Sequence, residues 1–232
     1  ALGLEKVNLH RRIALTIIKK TGTSPNKVIL GFMIATAFMS MWISNTASTV
    51  VMLPIALSVI NLLIDQQESS TKQTQNFALS VMLGIAFSAN AGGIATVIGT
   101  PPNSVLIGLL ENEYQIQISF VKWMMIGLPF AIVMITVIYL VLVYGMFSTK
   151  GLQFSASQEV IDNELEKLGP IKPKEKQVLW VFGIVVSLWI FRTLINSVFP
   201  GLKLSDTVIS ILGALALFAI PFDLKKGDFI LD

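Results

Sequence analysis

The sequence has no cysteine, a single histidine, and charged residues at only 13% of its 232 positions. Without cysteine there can be no disulfide framework, thiolate metal site or thiol redox chemistry. The lone His10 stands beside Arg11 and Arg12 in a basic stretch, where it reads as a surface group and not a catalytic one. The scarcity of charge excludes the most, since a soluble domain averages about 25% charged residues. Hydrophobic residues make up 53% of the chain, and the mean hydropathy is +0.73. This is the composition of an integral membrane protein. The net charge of +3 does not point to nucleic acid, because basic residues collect on the cytoplasmic side of membrane proteins in any case. No nucleic-acid partner is expected; the bilayer is.

Two runs contain no Asp, Glu, Lys or Arg: 28–64, with 37 residues, and 73–110, with 38. The first would be roughly 55 Å long as one helix, whereas a bilayer's hydrocarbon core is about 30 Å thick. It is too long for one upright crossing and suits two short arms. Ser44-Asn45-Thr46 lies at its centre. A polar, non-helical tip at membrane depth survives only when buried in protein or lining a wet cavity, as at the binding sites of membrane transporters. In the second run, Asn90-Ala91-Gly92-Gly93 and Gly99-Thr100-Pro101-Pro102-Asn103 predict a broken helix. The fold class expected is therefore an all-α integral membrane protein, a polytopic helical transporter with a re-entrant helical hairpin and one unwound transmembrane helix.

The expected organisation is a basic interfacial amphipathic helix over 1–27 and the hairpin over 28–64. Transport-domain helices follow over 73–147, the first broken at about 91–100. Next come a polar linker over 148–176, with a short helix near 158–168, and scaffold helices over 177–232. Neither end of the chain reads as a natural terminus, so the expectation is a middle piece of a longer polypeptide that would not transport by itself. Basic residues discriminate among topologies. If both long runs cross the membrane, the two sides receive 9 and 8 Lys and Arg. If the first run is a hairpin and the second crosses, they receive 14 and 3. Making the second run the hairpin gives 13 and 4, so charge favours one hairpin. The central Ser44-Asn45-Thr46 selects the first run. Residues 1–27, 65–72 and 150–176 are then cytoplasmic, in a multi-pass protein of the cell's inner membrane.

The tip suggests its own chemistry. The first arm should end near Ile43-Ser44, leaving carbonyls without helical partners and with partial negative charge. Carbonyl and hydroxyl oxygens suit a small hard cation such as Na+, and Ser40 and Ser44, four apart, share one helix face. The second arm should start near Ala47 or Ser48, its free N–H groups suiting an anion, with Asn45 and Thr46 as caps or ligands. In the second run Thr100 is placed to cap a half-helix opening at Pro101, and Gly99 allows carbonyls to approach an ion closely. Neither run holds a cationic side chain. A buried dianion would be costly without one, and bound Na+ would offset that cost, which suggests cation-coupled uptake. The runs also hold no Asp, Glu, His or Cys, which argues against an enzyme. A Na+-independent anion exchanger and an ion channel remain as alternatives.

Met41-Trp42-Ile43-Ser44-Asn45-Thr46-Ala47, Ile98-Gly99-Thr100-Pro101-Pro102-Asn103 and Leu9-His10-Arg11-Arg12-Ile13-Ala14-Leu15 resemble the divalent anion/sodium symporter family. The order of segments agrees throughout. The resemblance implies a homodimer with scaffold and transport domains moving as an elevator. It implies import of a dicarboxylate, citrate or sulfate with Na+, most closely a C4-dicarboxylate. Carried over by motif, Ser40, Ser44, Asn45 and Gly99 would bind Na+. Asn45 and Thr46 would touch a substrate carboxylate, and Thr100 and Pro101 would line the site. Family members carry a second Ser-Asn-Thr; this chain has one. The second hairpin and second Na+ site would lie past Asp232.

Overall fold

Pro25, Pro101 and Pro173 each open a helix, at the position where a missing N–H costs nothing and the fixed φ is already helical. The computed structural model describes residues 2–22, 24–65, 72–150, 152, 157–199, 201–202, 204–223 and 228–229. The helices are α1 (Leu2–Lys6), α2 (Leu9–Thr21), α3 (Pro25–Ser40), α4 (Asn45–Asp65), α5 (Lys72–Ile94), α6 (Pro101–Tyr114), α7 (Phe120–Leu140), α8 (Ser157–Leu168), α9 (Pro173–Val198) and α10 (Asp206–Ala219). A π-helical turn, Val141–Met146, prolongs α7. Short strands β1 (Pro221–Asp223) and β2 (Asp228–Phe229) pair antiparallel and were not anticipated. The expected all-α, polytopic class holds. α5, α7 with its extension, and α9 are long and apolar enough to cross a membrane. The expected loop 65–72 falls mostly on 66–71, outside the described residues.

Two expectations need correction. Residues 1–27 do not form one helix. Asn8 adopts φ 57 and separates α1 from α2, a left-handed conformation that Asn tolerates better than most residues. This turn buries His10, read from sequence as a surface group: it is 6% exposed, and its Nδ1 lies 2.8 Å from Leu4 O. The contact within the turn outweighs the basic neighbours.

The described chain divides into two compact units. One comprises 1–10, 118–122 and 170–232. Here Arg192, anomalous in an apolar helix, forms an ion pair with Asp206 at 2.9 Å. Asp206 Oδ2 also accepts the Phe120 N–H at 2.9 Å, and Phe120 stacks on Trp189 with ring centres 4.7 Å apart. An intramembrane charge is tolerated when paired in this way.

The other unit comprises 11–117 and 123–169. α3 and α4, joined through residues 41–44, touch each other and both pack on α5. The buried face of α5 includes Ser80, Gly84, Ser88 and Gly92 at four-residue spacing, the small-residue stripe that lets membrane helices approach closely. A Cβ on Gly84 would stand 2.9 Å from Met33 Cγ, and one on Gly92 would stand 2.6 Å from Ala37 Cα. Around this contact Phe32, Met33, Ile29, Phe77 and Ile85 are fully buried or nearly so.

α2 and α8 are joined by charge. Arg11 pairs with Glu164, Lys19 with Asp162 at 2.7 Å, and Lys167 with Glu164 at 2.7 Å. Arg12 donates to the carbonyls of Gly169 and Leu168 at 2.8 and 3.2 Å. The hydrogen bond from Lys167, aided by the Arg11 charge, holds the Glu164 carboxyl below its ordinary value of 4.5. A depressed carboxylate pKa stabilises the fold above the unfolded-state value, and that contribution is lost as pH falls through the folded-state value. Acidification below about pH 4.5 should therefore loosen α8 from α2. Glu164→Gln should flatten this pH dependence, read by hydrogen exchange of 157–168. An equal acid response in both proteins would refute it.

Candidate functional site

The turn between α3 and α4 and the break between α5 and α6 meet inside one unit. α3 stops at Ser40, and Met41–Ser44 make the turn, with Trp42 and Ile43 N–H groups both bonding to Met39 O at 3.0 Å. The first arm thus ends three or four residues before the expected Ile43-Ser44. The second arm starts at Asn45, two or three residues earlier than expected. Ser44, not Asn45 or Thr46, is the cap: its Oγ accepts the Ala47 N–H at 3.2 Å and its carbonyl accepts Ser48 N–H at 3.0 Å. The N–H groups of Asn45 and Thr46, first in the helix, find no partner among the described residues. They are the donors that a helix start offers to an anion.

The break begins later than expected. α5 runs on through Gly92-Gly93 to Ile94, and residues 95–100 are non-helical. Glycine costs a helix about 1 kcal/mol relative to alanine. Here that cost is offset by the close approach of Ala37 to Gly92. Thr100 occupies the predicted cap position with extended backbone, but its side chain makes no capping bond. Pro101 and Pro102 have no N–H, and Asn103 N–H bonds to Thr100 O at 3.1 Å.

Three of the named residues come together. Ser40 is fully buried, and its Oγ lies 2.7 Å from both Asn45 Oδ1 and Ala89 O. Asn45 Nδ2 donates to Asn90 Oδ1 at 3.0 Å. The Asn45 carboxamide lies directly over Gly93, where a Cβ would collide with its Oδ1 and stand 3.2 Å from its Cγ. A Cβ on Gly99 would stand 2.5 Å from Gly93 O and 2.9 Å from Ser40 O. Ser40 O and Gly93 O thus both approach Gly99, while Asn45 Oδ1 lies over Gly93 next to Ser40 Oγ. Ser44 is exposed and serves as the cap of the turn; no hydrogen bond among the described residues ties its side chain to the cluster. Thr46 and Pro101 are exposed and Thr100 half-buried, and no hydrogen bond among the described residues ties these three to the cluster.

Sequence reasoning missed the residues that hold the two breaks together. Thr96 Oγ1 donates to Met41 O at 2.5 Å, across 55 positions. Asn103 Nδ2, 7% exposed, donates to Gly93 O at 2.9 Å and Thr96 O at 2.8 Å. Trp123 Nε1 on α7 donates to Ile94 O at 2.9 Å. Asn103 and Asn90 stand inside the two motifs of the second run, whose helix-breaking power lies in their glycines and prolines. A polar amide at the depth of Asn45 was the signal available.

The cluster is made of neutral oxygens and amides. Such a set can strip the hydration shell from a small hard cation and replace it oxygen by oxygen. It offers no proton donor or acceptor of catalytic strength.

All of residues 1–232 match the family model described as sodium:sulfate symporter, transmembrane region. The chain is 40% identical over 224 residues to the sodium-dependent dicarboxylate transporter SdcS of Staphylococcus aureus strain USA300, and equally to that of strain bovine RF122 / ET3-1. The match covers 95% of this chain and 43% of each relative, so the chain spans less than half the length of these relatives. On the full-length family match, the chain belongs to the sodium:sulfate symporter transmembrane-region family.

Proposed function

We propose that this chain forms part of a secondary active transporter that imports a small divalent anion together with Na+. The observation that carries the reading is the set of oxygens at the two breaks, Ser40 O and Gly93 O beside Gly99 and Ser40 Oγ with Asn45 Oδ1 over Gly93, with no cationic side chain in either of the two uncharged runs that supply it. Na+ is the cargo that would occupy the oxygens. The unpartnered N–H groups of Asn45 and Thr46 would meet one carboxylate of the anion, beside Thr100 and Pro101. A cation and an anion side by side neutralise each other, which lowers the cost of removing either from water. The named relatives, described as sodium-dependent dicarboxylate transporters, support a dicarboxylate as the anion, and within that class we take a C4-dicarboxylate such as succinate.

The wider reading has α3 and α4 as a re-entrant hairpin. α3, with 16 residues, is about 24 Å long, short of the roughly 30 Å core. Residues 73–147 would move and 177–232 would stay with a homodimer scaffold, as in an elevator, with 1–27, 65–72 and 150–176 on the cytoplasmic side. The test is succinate uptake by proteoliposomes of the intact protein with K+ in place of Na+. Uptake should fall to background. Undiminished uptake would refute sodium coupling and favour an exchanger.

A further inference from the structure

A carboxamide has one acceptor end and one donor end of nearly the same shape. Only the oxygen end of Asn45 can face a cation. The contact with Ser40 does not fix which end that is, because a hydroxyl both donates and accepts. Were the amide reversed, Nδ2 could donate to Ser40 Oγ while the Ser40 proton went to Ala89 O, which lies 2.7 Å away. Packing does not fix it either, since Gly93 presents only backbone to the carboxamide.

The remaining partner is Asn90, on the exposed side of α5 four residues before Ile94. It accepts from Asn45 Nδ2 at 3.0 Å. This bond draws the donor end away from the cluster and leaves Oδ1 beside Ser40. We propose that Asn90 is a positioning residue for the cation site: it touches no cargo itself and orients the oxygen that does. It rests on the sodium reading above and names a residue which that reading does not include.

The mechanism makes a specific demand on position 90. What matters is an acceptor, and the end that Asn90 turns to Asn45 is its oxygen. Aspartate can only accept, so Asn90→Asp should keep or improve the orientation, whereas Asn90→Ala should lose it. Partners that orient ligands in this way typically change ion affinity about 10–100-fold.

The experiment is a Na+ titration of thermal stabilisation of the purified intact protein, without anion, with K+ as the ionic-strength control. Asn90→Ala should raise the half-saturating Na+ concentration about tenfold. Asn90→Asp should return it to the parent value or below. An unchanged titration in Asn90→Ala, or an equal loss in both variants, would overturn the proposal. If Asn90→Ala fails to fold, Asn90→Asp decides alone: half-saturation at or below the parent supports the proposal, and above it refutes it. Asn45→Ala in the same titration separates the two levels. If it too is unchanged, the sodium site itself is wrong; if only Asn45→Ala loses Na+, the site stands and the role of Asn90 falls.

Discussion

Asn45→Ala is expected to abolish sodium-dependent succinate binding by the intact protein while leaving its expression and folding intact. The side chain links three partners at once: Ser40, Asn90 and the glycine floor at Gly93. Truncation would remove the proposed cation ligand and leave the Ser40 hydroxyl bonded to Ala89 O. A polar contact to a charged group is worth about 1.5–3 kcal/mol, so the apparent Na+ affinity should drop by roughly 10- to 100-fold. Anion binding should fall with it, because the cation that offset the buried negative charge is gone. Equilibrium binding of labelled succinate across a Na+ series measures this. Binding that survives unchanged would make the tip a purely structural turn.

Gly92→Val should have the largest effect on folding. A Cβ there would meet the backbone of Ala37, at 2.6 Å from its Cα and 2.7 Å from its carbonyl carbon. Overpacking typically costs about 1–3 kcal/mol when side chains can move aside. Two helix backbones cannot, so the cost should reach about 3 kcal/mol or more, a large part of the roughly 5–15 kcal/mol that stabilises a typical protein. Gly108→Val is the control, since nothing lies within 4 Å of a Cβ at that position. Thermal unfolding in detergent should show a marked loss for Gly92→Val and little for Gly108→Val. Equal stability of the two would contradict the close contact of α3 with α5.

What could be read in advance was what local chemistry dictates. Pro101 fixes its own φ, so the restart of the second run at that residue was legible. Ser44-Asn45-Thr46 interrupts an apolar run too long for one crossing, so the turn was legible as well. The helix α8 appeared near its expected range because charge and hydropathy change at its ends. The rest depends on residues distant in sequence. α5 continues through Gly92-Gly93 because α3, some 55 positions earlier, presses its backbone there. Arg11 finds Glu164 across 153 positions, and no pattern near either residue announces the other. His10 was misjudged because its neighbours are basic, whereas its burial follows from a left-handed Asn8. At Gly99 the carbonyls that approach closely are those of Gly93 and Ser40, and the second of these comes from a different helix that no local pattern announces.

The double proline at the head of α6 removes that terminus's two leading N–H groups, so what remains of the positive helix end is the weaker, undirected field of the aligned peptide units behind it. An anion drawn there would feel a smooth potential over the first turn, with fewer bond directions to satisfy. A tetrahedral sulfur oxyanion and a planar carboxylate would be received almost alike. Shape discrimination would then fall to the start of α4, where the N–H groups of Asn45 and Thr46 have direction. The two helix starts would divide their labour, one reading the sign of a charge and the other its geometry.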